Sequence, residues 1–465
     1  MRTILNKHRE KRLTQPNDPP LTLKKAGVAE PSKGKALPTG RLKRLGKVAR
    51  IATGVAGGML AEGTRQLKAG NVPRPRDMLL TPGNARRVAK QLSDMRGAAM
   101  KFGQLLSMDS GELLPKELAN ILATLRAQAQ FMPAAQLEQA MQAAYGNAWR
   151  KGFSEFNERP IAAASIGQVH SARTHDGQHI VLKVQYPGIA KSIDSDIDNI
   201  AMLLRISGLV PTGIDLTPLL DDAKIQLKDE TNYKKEARYL TSFTEALQDD
   251  QRYCIPTLFP SLSRSNVLAM SFVEGEPIEQ LVESSQSIRN AVMVALFELM
   301  LSELFELRMM QTDPNFANYL YNATTEKVVL LDFGATRKFK ASFIKQYLTL
   351  LKAALASDEA GICNAAEKIG YGVGDADSPY RQLIIELFSM VLEPARADAP
   401  YDFAASDLPA RLAKLGDDAK QHVDFWQAPP ADSVYIHRKV GGMFLLASRL
   451  KAKVNLNQLM QRWLS

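Results

Sequence analysis

The chain has 465 residues, of which 45% are hydrophobic and 23% are charged, a balance that excludes a wholly disordered protein. The formal net charge is +10, yet residues 1–50 hold 14 Lys or Arg and three acidic residues. The remaining residues are therefore close to neutral, which argues against a basic nucleic-acid-binding surface on the folded body. Nucleic-acid binding through the basic tail alone is left as the alternative.

The cysteine and apolar patterns restrict the compartment. Two cysteines, Cys254 and Cys363, are too few for a disulfide framework, and no Cys or His cluster has zinc-site spacing. We therefore expect a cytoplasmic, reducing location. The sequence contains no apolar run of about 18 residues or more that would span a membrane. Residues 1–14 lack the apolar core of a secretory signal, and their basic composition leaves an organelle transit segment as the alternative.

The N-terminal third divides by composition into a tail and a helical region. Residues 1–40 are rich in Pro, Lys and Gly, which predicts a disordered basic tail. Residues 41–68 mix Lys and Arg with small apolar residues. They fit either a helix packed on the body or an interfacial segment that contacts anionic lipid at the membrane periphery. Helical periodicity follows from about Asn84 to Ala144.

The pattern changes to β-strand near Phe153. Alternating and β-branched runs extend to Val184, and a turn at Asp176 and Gly177 divides them into a predicted β-hairpin. Helices are predicted at 192–204 and 219–247, and strands at 267–272 and 328–331. From residue 343 onward the pattern is mostly helical. A β-rich segment ahead of a helix-rich one predicts a two-lobed α+β fold.

A loop in this region has the spacing of a nucleotide-binding glycine loop. The candidate phosphate-contacting residues are Ala162, Ala163, Ala164, Ser165, Gly167 and Val169. In the pattern G-x-G-x-x-G-x-V, backbone N–H groups approach phosphate oxygens. Gly167 and Val169 match this pattern, whereas Ala162 and Ala164 replace its first two glycines and restrict the backbone. An ordinary Ala-rich turn beside a strand is the structural alternative.

A lysine interrupts the apolar strand 180–184. Lys183 lies 14 residues after Val169, and burying it is costly unless a carboxylate pairs with it. A kinase-like strand lysine holds the α- and β-phosphates and pairs with a helix glutamate, for which Glu236 is the candidate. On one continuous helix Glu230 would point about 120° away from Glu236, so we leave it for a second partner. The structural alternative is that Lys183 lies on an edge strand facing water and that Glu230 and Glu236 are solvent-exposed helix residues.

Two downstream segments supply acidic and amide oxygens. Asp313 and Asn318 keep the D-x-x-x-x-N spacing of a kinase catalytic loop, and Asp332 opens a D-F-G triplet 19 residues after Asp313. Asp332 and Asn318 are candidate ligands for Mg²⁺ that bridges nucleotide phosphates. Asp313 is the candidate base that orients or deprotonates an incoming hydroxyl or water. The ordered set predicts a protein-kinase-like site, although no A-P-E motif follows Asp332.

The chain resembles the UbiB/AarF/ADCK family of atypical kinase-like proteins, which is associated with ubiquinone (coenzyme Q) biosynthesis. The similarity covers about residues 41–465. It rests on KFGQ at 101–104, AAASIGQVH at 162–170, VLKVQYPG at 181–188, TDPNFANY at 312–319, LDFG at 331–334 and RKVGGMFLLASRLKA at 438–452.

The resemblance implies a two-lobed, kinase-like α+β fold with an N-terminal helical extension. The implied regions are a disordered tail at 1–40, the extension with its K-x-G-Q motif at 41–150, an N-lobe with inserted helices at 151–275 and a helical C-lobe at 276–465. It also implies that Lys101 and Gln104 point into the nucleotide pocket, with Glu230 as their partner. Some family members carry two C-terminal membrane spans, whereas this chain ends at Ser465, which implies a soluble or peripheral form.

The sequence departs from the family pattern in two motifs. The family's E-x-D reads Glu230-Thr231-Asn232, so one anchoring charge is replaced by an amide. The family's H-A-D-P-H-P-G-N loop loses its histidines and its glycine here, but Asp313 and Asn318 are retained. We therefore expect the metal chemistry to be retained.

These observations predict an enzyme that binds ATP or ADP with Mg²⁺. Its expected reaction is ATP hydrolysis or phosphoryl transfer to a small-molecule or lipid-like acceptor, such as a quinone precursor, in support of ubiquinone metabolism. Residues 270–275, which begin at the end of a predicted strand, are the candidate adenine hinge. The alternatives are a non-catalytic nucleotide-binding scaffold and a true protein kinase.

Overall fold

The fold is described from a computed structural model. It describes Lys101 and residues 131–207, 217–420 and 429–464. The predictions for the tail at 1–40, for the segment at 41–68 and for Gln104 lie outside the described residues.

Helices make up most of the described chain. In chain order they are α1 (Ala134–Tyr145), α2 (Ile189–Ser207), α3 (Thr217–Glu230), α4 (Tyr233–Ala246), α5 (Gln286–Phe305), α6 (Ala341–Leu355), α7 (Glu359–Ile369), α8 (Pro379–Val391), α9 (Leu408–Lys420), α10 (Ala431–Arg449) and α11 (Leu456–Leu464). Short 3₁₀ helices lie at Trp149–Gly152, Ile278–Glu283, Phe316–Asn318 and Glu393–Ala395.

The strands are short and concentrate in the first two thirds of the described chain. They are β1 (Glu155–Phe156), β2 (Ala162–Ala163), β3 (Gly167–Arg173), β4 (His179–Gln185), β5 (Tyr253–Cys254), β6 (Val267–Ser271), β7 (Glu276–Pro277), β8 (Met309–Gln311), β9 (Tyr319–Asn322), β10 (Lys327–Leu330), β11 (Thr336–Lys338), β12 (Tyr401–Asp402) and β13 (Lys453–Val454).

An antiparallel sheet in the order β1-β3-β4-β6, with β2 beside β3, carries the predicted lysine strand. The predicted hairpin is confirmed, because β3 and β4 pair across a turn at Gly177, whose φ of +83° suits glycine. The central strand β4 is buried from Ile180 onward, which explains its continuous apolar pattern. In its register Lys183 lies between Val169 of β3 and Leu268 of β6.

Two smaller sheets support the downstream motifs. Strands β5, β10, β9 and β7 form one sheet, in which Leu330 pairs with Tyr319. Strands β8 and β11 form a two-stranded ribbon in which Gln311 pairs with Thr336. Both ends of the segment 311–319 are therefore attached to the chain on either side of the D-F-G triplet.

The helices between β4 and β5 differ from the prediction at one point. The continuous helix predicted over 219–247 is wrong, because α3 ends at Glu230 and α4 begins at Tyr233. Asn232 interrupts the helix with non-helical dihedrals, and its side-chain oxygen accepts the N–H of Lys235 at 3.0 Å, as an N-cap does. The angle between Glu230 and Glu236 that we derived for one straight helix therefore does not apply.

The helical part packs around α5, which is buried on most of its circumference. Helices α6, α7 and α8 pack on one another, and α10 and α11 pack on α5. The α+β fold class is confirmed. Within the described residues, no helix combines the length and the apolar character needed to cross a membrane.

We predict that Asn232→Ala lowers the free energy of unfolding by about 1 kcal/mol, because the first turn of α4 loses its N-cap acceptor. Asn232→Asp keeps an acceptor at the same place and is the matched control. Urea denaturation of both variants checks this expectation. Equal losses of stability in the two variants would contradict the capping role.

Candidate functional site

Three distant segments meet at the ammonium group of Lys183. Its Nζ lies 2.8 Å from Oε1 of Glu236, in the first turn of α4, and 2.9 Å from Oδ2 of Asp332, which follows β10. The Lys183 side chain is 10% exposed and that of Glu236 is 2% exposed, whereas that of Asp332 is 30% exposed. The buried ammonium group is thus paired with the buried carboxylate of Glu236 and with Asp332, whose side chain is partly exposed to solvent.

Burial and pairing act in opposite directions on these groups. Burial lowers the pKa of Lys183, but Asp332 and Glu236 overcome this effect and hold the pKa above its usual value. Burial raises the pKa of Glu236 to about 7, although Lys183 opposes the rise. Burial also acts against the charge of Asp332, but Lys183 and the N–H of Gly334, which donates to Oδ1 at 2.8 Å, lower its pKa overall.

Lys101 forms a second set of ion pairs, close enough to the first to interact electrostatically with Asp332. Its side chain is 1% exposed, and its Nζ lies 2.6 Å from Oε1 of Glu230 and 3.3 Å from Oδ2 of Asp313. The hydroxyl of Ser165 donates to the other oxygen of Glu230. Burial opposes the charge of Lys101, but Asp313 and Glu230 raise its pKa above the usual value. Lys101 is thus a cation held against the predicted base.

The Ala-rich loop folds as a tight turn above this cluster. Ala162 and Ala163 form β2, and Ala162 pairs with Val169 of β3. The N–H of Ala164 donates to the carbonyl of Gly167 at 2.9 Å and closes the turn. A Cβ at position 167 would collide with the carbonyl oxygen of Val184, so only glycine fits there. The last glycine of the loop is therefore required by the close approach of β4.

The segment 313–318 brings Asn318 next to the D-F-G triplet. Asn318 Nδ2 donates to the carbonyl of Asp313 at 3.3 Å, and the N–H of Leu331 donates to the carbonyl of Asn318 at 3.0 Å. Asn315 caps the short 3₁₀ helix by accepting the N–H of Ala317. Asp313 and Asn318 are thereby joined to each other, and Asn318 is joined to the strand end that presents Asp332.

The donor chemistry fits Mg²⁺. Asp332 offers a carboxylate and Asn318 a carboxamide oxygen, both hard donors, and the exposed side of Asp332 leaves room for further ligands. Among the described residues, no group of three or more His, Cys, Asp or Glu could hold a metal ion on its own. In proteins Mg²⁺ is commonly bound by one or two carboxylates together with substrate phosphates and water.

Sequence reasoning missed Tyr233 and Gln185. The ring of Tyr233 is buried, and its centroid lies 5.5 Å from Nζ of Lys183. Gln185 donates to the carbonyl of Thr231 at 2.8 Å and so attaches the link between α3 and α4 to the end of β4. The position of Tyr233 directly after Asn232 could have indicated a buried first turn, but only once the helix break was known.

We predict that the unfolding free energy of the nucleotide-free protein, relative to a Glu236→Gln variant, falls as pH rises from about 4.5 to about 7. The raised pKa means that the folded state binds more protons than the unfolded state in this interval. The stability present below pH 4.5 is therefore lost at a slope of at most about 1.4 kcal/mol per pH unit. Urea titrations at several pH values measure it, and parallel curves for the two proteins would exclude it.

Comparison with known proteins identifies the family. A family model described as an ABC1 atypical kinase-like domain matches residues 124–366. The chain is 37% identical over 423 residues to the mitochondrial atypical kinase COQ8 of Saccharomyces cerevisiae, covering 91% of this chain and 84% of that one. It is 35% identical over 436 residues to the mitochondrial atypical kinase COQ8B of Rattus norvegicus, covering 93% and 82%.

Among solved structures, the chain is similar in fold to Rv3197 of Mycobacterium tuberculosis in complex with erythromycin. The TM-score is 0.56 at 23% sequence identity, and the match covers 80% of this chain and 93% of the other. This likeness concerns the fold alone. The family model and the two relatives confirm the resemblance drawn from the motifs, and the chain belongs to the ABC1, or UbiB, family of atypical kinases.

Proposed function

We propose that the chain binds ATP or ADP with Mg²⁺ and catalyses ATP hydrolysis or phosphoryl transfer to a small or lipid-like acceptor. The observation that carries this proposal is the convergence of Lys183, Glu236 and Asp332, with contacts of 2.8 and 2.9 Å around one ammonium group. A lysine held in this way between two carboxylates has a fixed position from which it can contact nucleotide phosphates.

Each group has a distinct role in the proposed site. Lys183 binds the α- and β-phosphates, and Glu236 keeps it in place. Asp332 and Asn318 would hold Mg²⁺, which supplies charge neutralisation on the β- and γ-phosphate oxygens. The Ala-rich loop covers the phosphates, and the backbone of residues 270–275 contacts the adenine.

Asp313 is the proposed base. Its carboxylate accepts the proton of a water or acceptor hydroxyl as the oxygen of that group attacks the γ-phosphorus. The bond between the γ-phosphorus and the β-bridging oxygen breaks, and ADP leaves with the bonding electron pair. In hydrolysis the proton on Asp313 then passes to solvent, which restores the carboxylate. The reaction requires Lys101 Nζ, 3.3 Å from Oδ2 of Asp313, to leave one carboxylate oxygen accessible.

The class of acceptor is proposed from the short connection between Asp332 and α6. Only residues 335–340 separate the D-F-G triplet from α6, and three of them form β11. No long segment that could dock a peptide lies between residues 334 and 341, all of which are described. This supports a small or lipid-like acceptor such as a quinone precursor, in ubiquinone metabolism. Location in the cytoplasm or at the membrane periphery stays a prediction.

We predict that Lys183→Ala weakens binding of Mg-ATP by about tenfold or more, because the phosphates lose a charged contact. Lys327→Ala is the control, since Lys327 lies on β10 and contacts Gln251 at the exposed surface. Calorimetric titration of both variants measures the affinities, and thermal unfolding checks that both are folded. An unchanged affinity in Lys183→Ala would refute the phosphate-binding role.

The contact of Lys101 favours a second candidate function, a nucleotide-binding scaffold without turnover. The Nζ of Lys101 lies 3.3 Å from Oδ2 of Asp313, the proposed base. Glu230 pairs with Lys101 and accepts a hydrogen bond from Ser165, which keeps the ammonium group in this position. The contact between Lys101 and Asp313 places a cation against Oδ2, one of the two carboxylate oxygens through which Asp313 could accept a proton. The same geometry is compatible with slow catalysis if Lys101 limits the rate.

The variant Lys101→Met separates the two candidates. If the site is catalytic, we predict that removing the cation beside Asp313 raises Mg²⁺-dependent phosphate release by about tenfold. Adding Asp313→Asn to that variant should abolish the gain. Nucleotide binding without phosphate release in the wild type and in Lys101→Met would establish the scaffold. Transfer to a protein in trans, lost in Asp313→Asn, would instead establish a protein kinase.

A further inference from the structure

Helix α10 carries a buried lysine at the back of the segment 313–318. Lys439 is 2% exposed, and its Nζ donates to the hydroxyl of Tyr319 at 2.9 Å. Tyr319 directly follows Asn318, the proposed metal ligand. The same Nζ lies 3.5 Å from Oε2 of Glu303, a residue of α5 that is 1% exposed. Lys439 therefore attaches the C-terminal end of this segment to α5 through one ammonium group.

Glu303 extends the attachment to the other end of the segment. Its Oε1 accepts the N–H of Gln311, two residues before Asp313, at 3.4 Å. The ion pair between Lys439 and Glu303 thus contacts both flanks of the segment. Glu303 contacts Gln311 on one side, and Lys439 contacts Tyr319 on the other. Burial lowers the pKa of Lys439, but Glu303 and Tyr319 raise it to about 12, so the ammonium group stays charged at neutral pH.

A third contact lies at the middle of the segment. Pro314 packs directly against Gly442, one turn after Lys439 on α10. A Cβ at position 442 would overlap the Cβ of Pro314 and lie 3.0 Å from its Cγ. The neighbouring glycine, Gly441, has open space where a Cβ would be. The close approach of α10 therefore requires glycine at 442 but not at 441.

The energetics point to positioning rather than to stability. A buried ion pair pays a desolvation cost that often cancels its Coulombic gain, so it adds little to folding compared with apolar side chains of the same size. What it does supply is directional contact at defined atoms. Here those atoms belong to the two residues that flank the proposed base and the proposed metal ligand.

We propose that Lys439 and Gly442 of α10 are positioning residues that fix the segment between Asp313 and Asn318 in its catalytic geometry. The inference rests on the proposed function for the roles of Asp313 and Asn318. It adds two residues of α10 that act through Tyr319, Glu303 and Pro314. A displacement of about 1 Å in such a segment can lower turnover by about a hundredfold.

Adjacent glycines supply a matched pair of variants. Gly441→Ala and Gly442→Ala both replace a helical glycine with a better helix former. We expect Gly442→Ala to lower kcat for Mg²⁺-dependent phosphate release by about tenfold or more and to raise the half-saturating Mg²⁺ concentration, because Pro314 and Asn318 are displaced. We expect Gly441→Ala to behave like the wild type in both quantities.

A second pair of variants tests the same role and does not depend on whether the glycine variants fold. Tyr319→Phe removes only the hydroxyl that Lys439 contacts, and Tyr321→Phe makes the same change two residues later on β9. We expect Tyr319→Phe alone to raise the half-saturating Mg²⁺ concentration by about threefold, the effect of losing one modest hydrogen bond. Lys439→Arg, which keeps the charge, should retain more activity than Lys439→Met.

Amide hydrogen exchange across residues 311–318 keeps this inference separate from the proposed function. Faster exchange in Gly442→Ala and Tyr319→Phe than in their controls supports positioning by α10, whether or not phosphate is released. A wild type without Mg²⁺-dependent phosphate release would overturn the catalytic proposal alone. Equal exchange, equal kcat and equal Mg²⁺ dependence within each pair would overturn the role of α10.

Discussion

The site depends on the pairing of the buried ammonium group of Lys183 with two carboxylates. A lysine in the middle of a sheet would be strongly destabilising without partners, so its burial requires Glu236 and Asp332 to arrive together. This requirement links β4, the start of α4 and the end of β10. Burial also raises the pKa of Glu236, although the neighbouring Lys183 opposes the rise.

A second set of polar contacts joins α10 to α3. Asp222 of α3 accepts hydrogen bonds from the hydroxyl of Tyr435 at 2.9 Å and from Nη2 of Arg438 at 2.8 Å. The same helix α3 ends at Glu230, the partner of Lys101. Helix α3 therefore contacts α10 through Asp222 and Lys101 through Glu230. Helix α10 thus contacts both the segment 313–318 and α3, the helix whose last residue pairs with Lys101.

Local patterns predicted several features well. The alternation around Asp176 and Gly177 predicted the hairpin, and motif spacing predicted a kinase-like α+β fold that the family comparison confirms. The helix break at Asn232 was not predicted, because asparagine also occurs inside helices and the apolar periodicity continues across it. The positions of Glu230 and Glu236 could not be derived without that break. The structure places Lys183 beside Glu236 by joining two elements that are 53 residues apart.

By itself, the sequence determined the residue types of the site, their order along the chain and the strands and turns that carry them, because these follow from neighbouring residues. Only the tertiary structure decided that Lys101 reaches Asp313 across 212 residues and that Lys439 reaches Tyr319 across 120. Such contacts depend on how whole helices and sheets pack. A helical or strand period specifies which face of an element is buried, but it does not specify which other element covers that face.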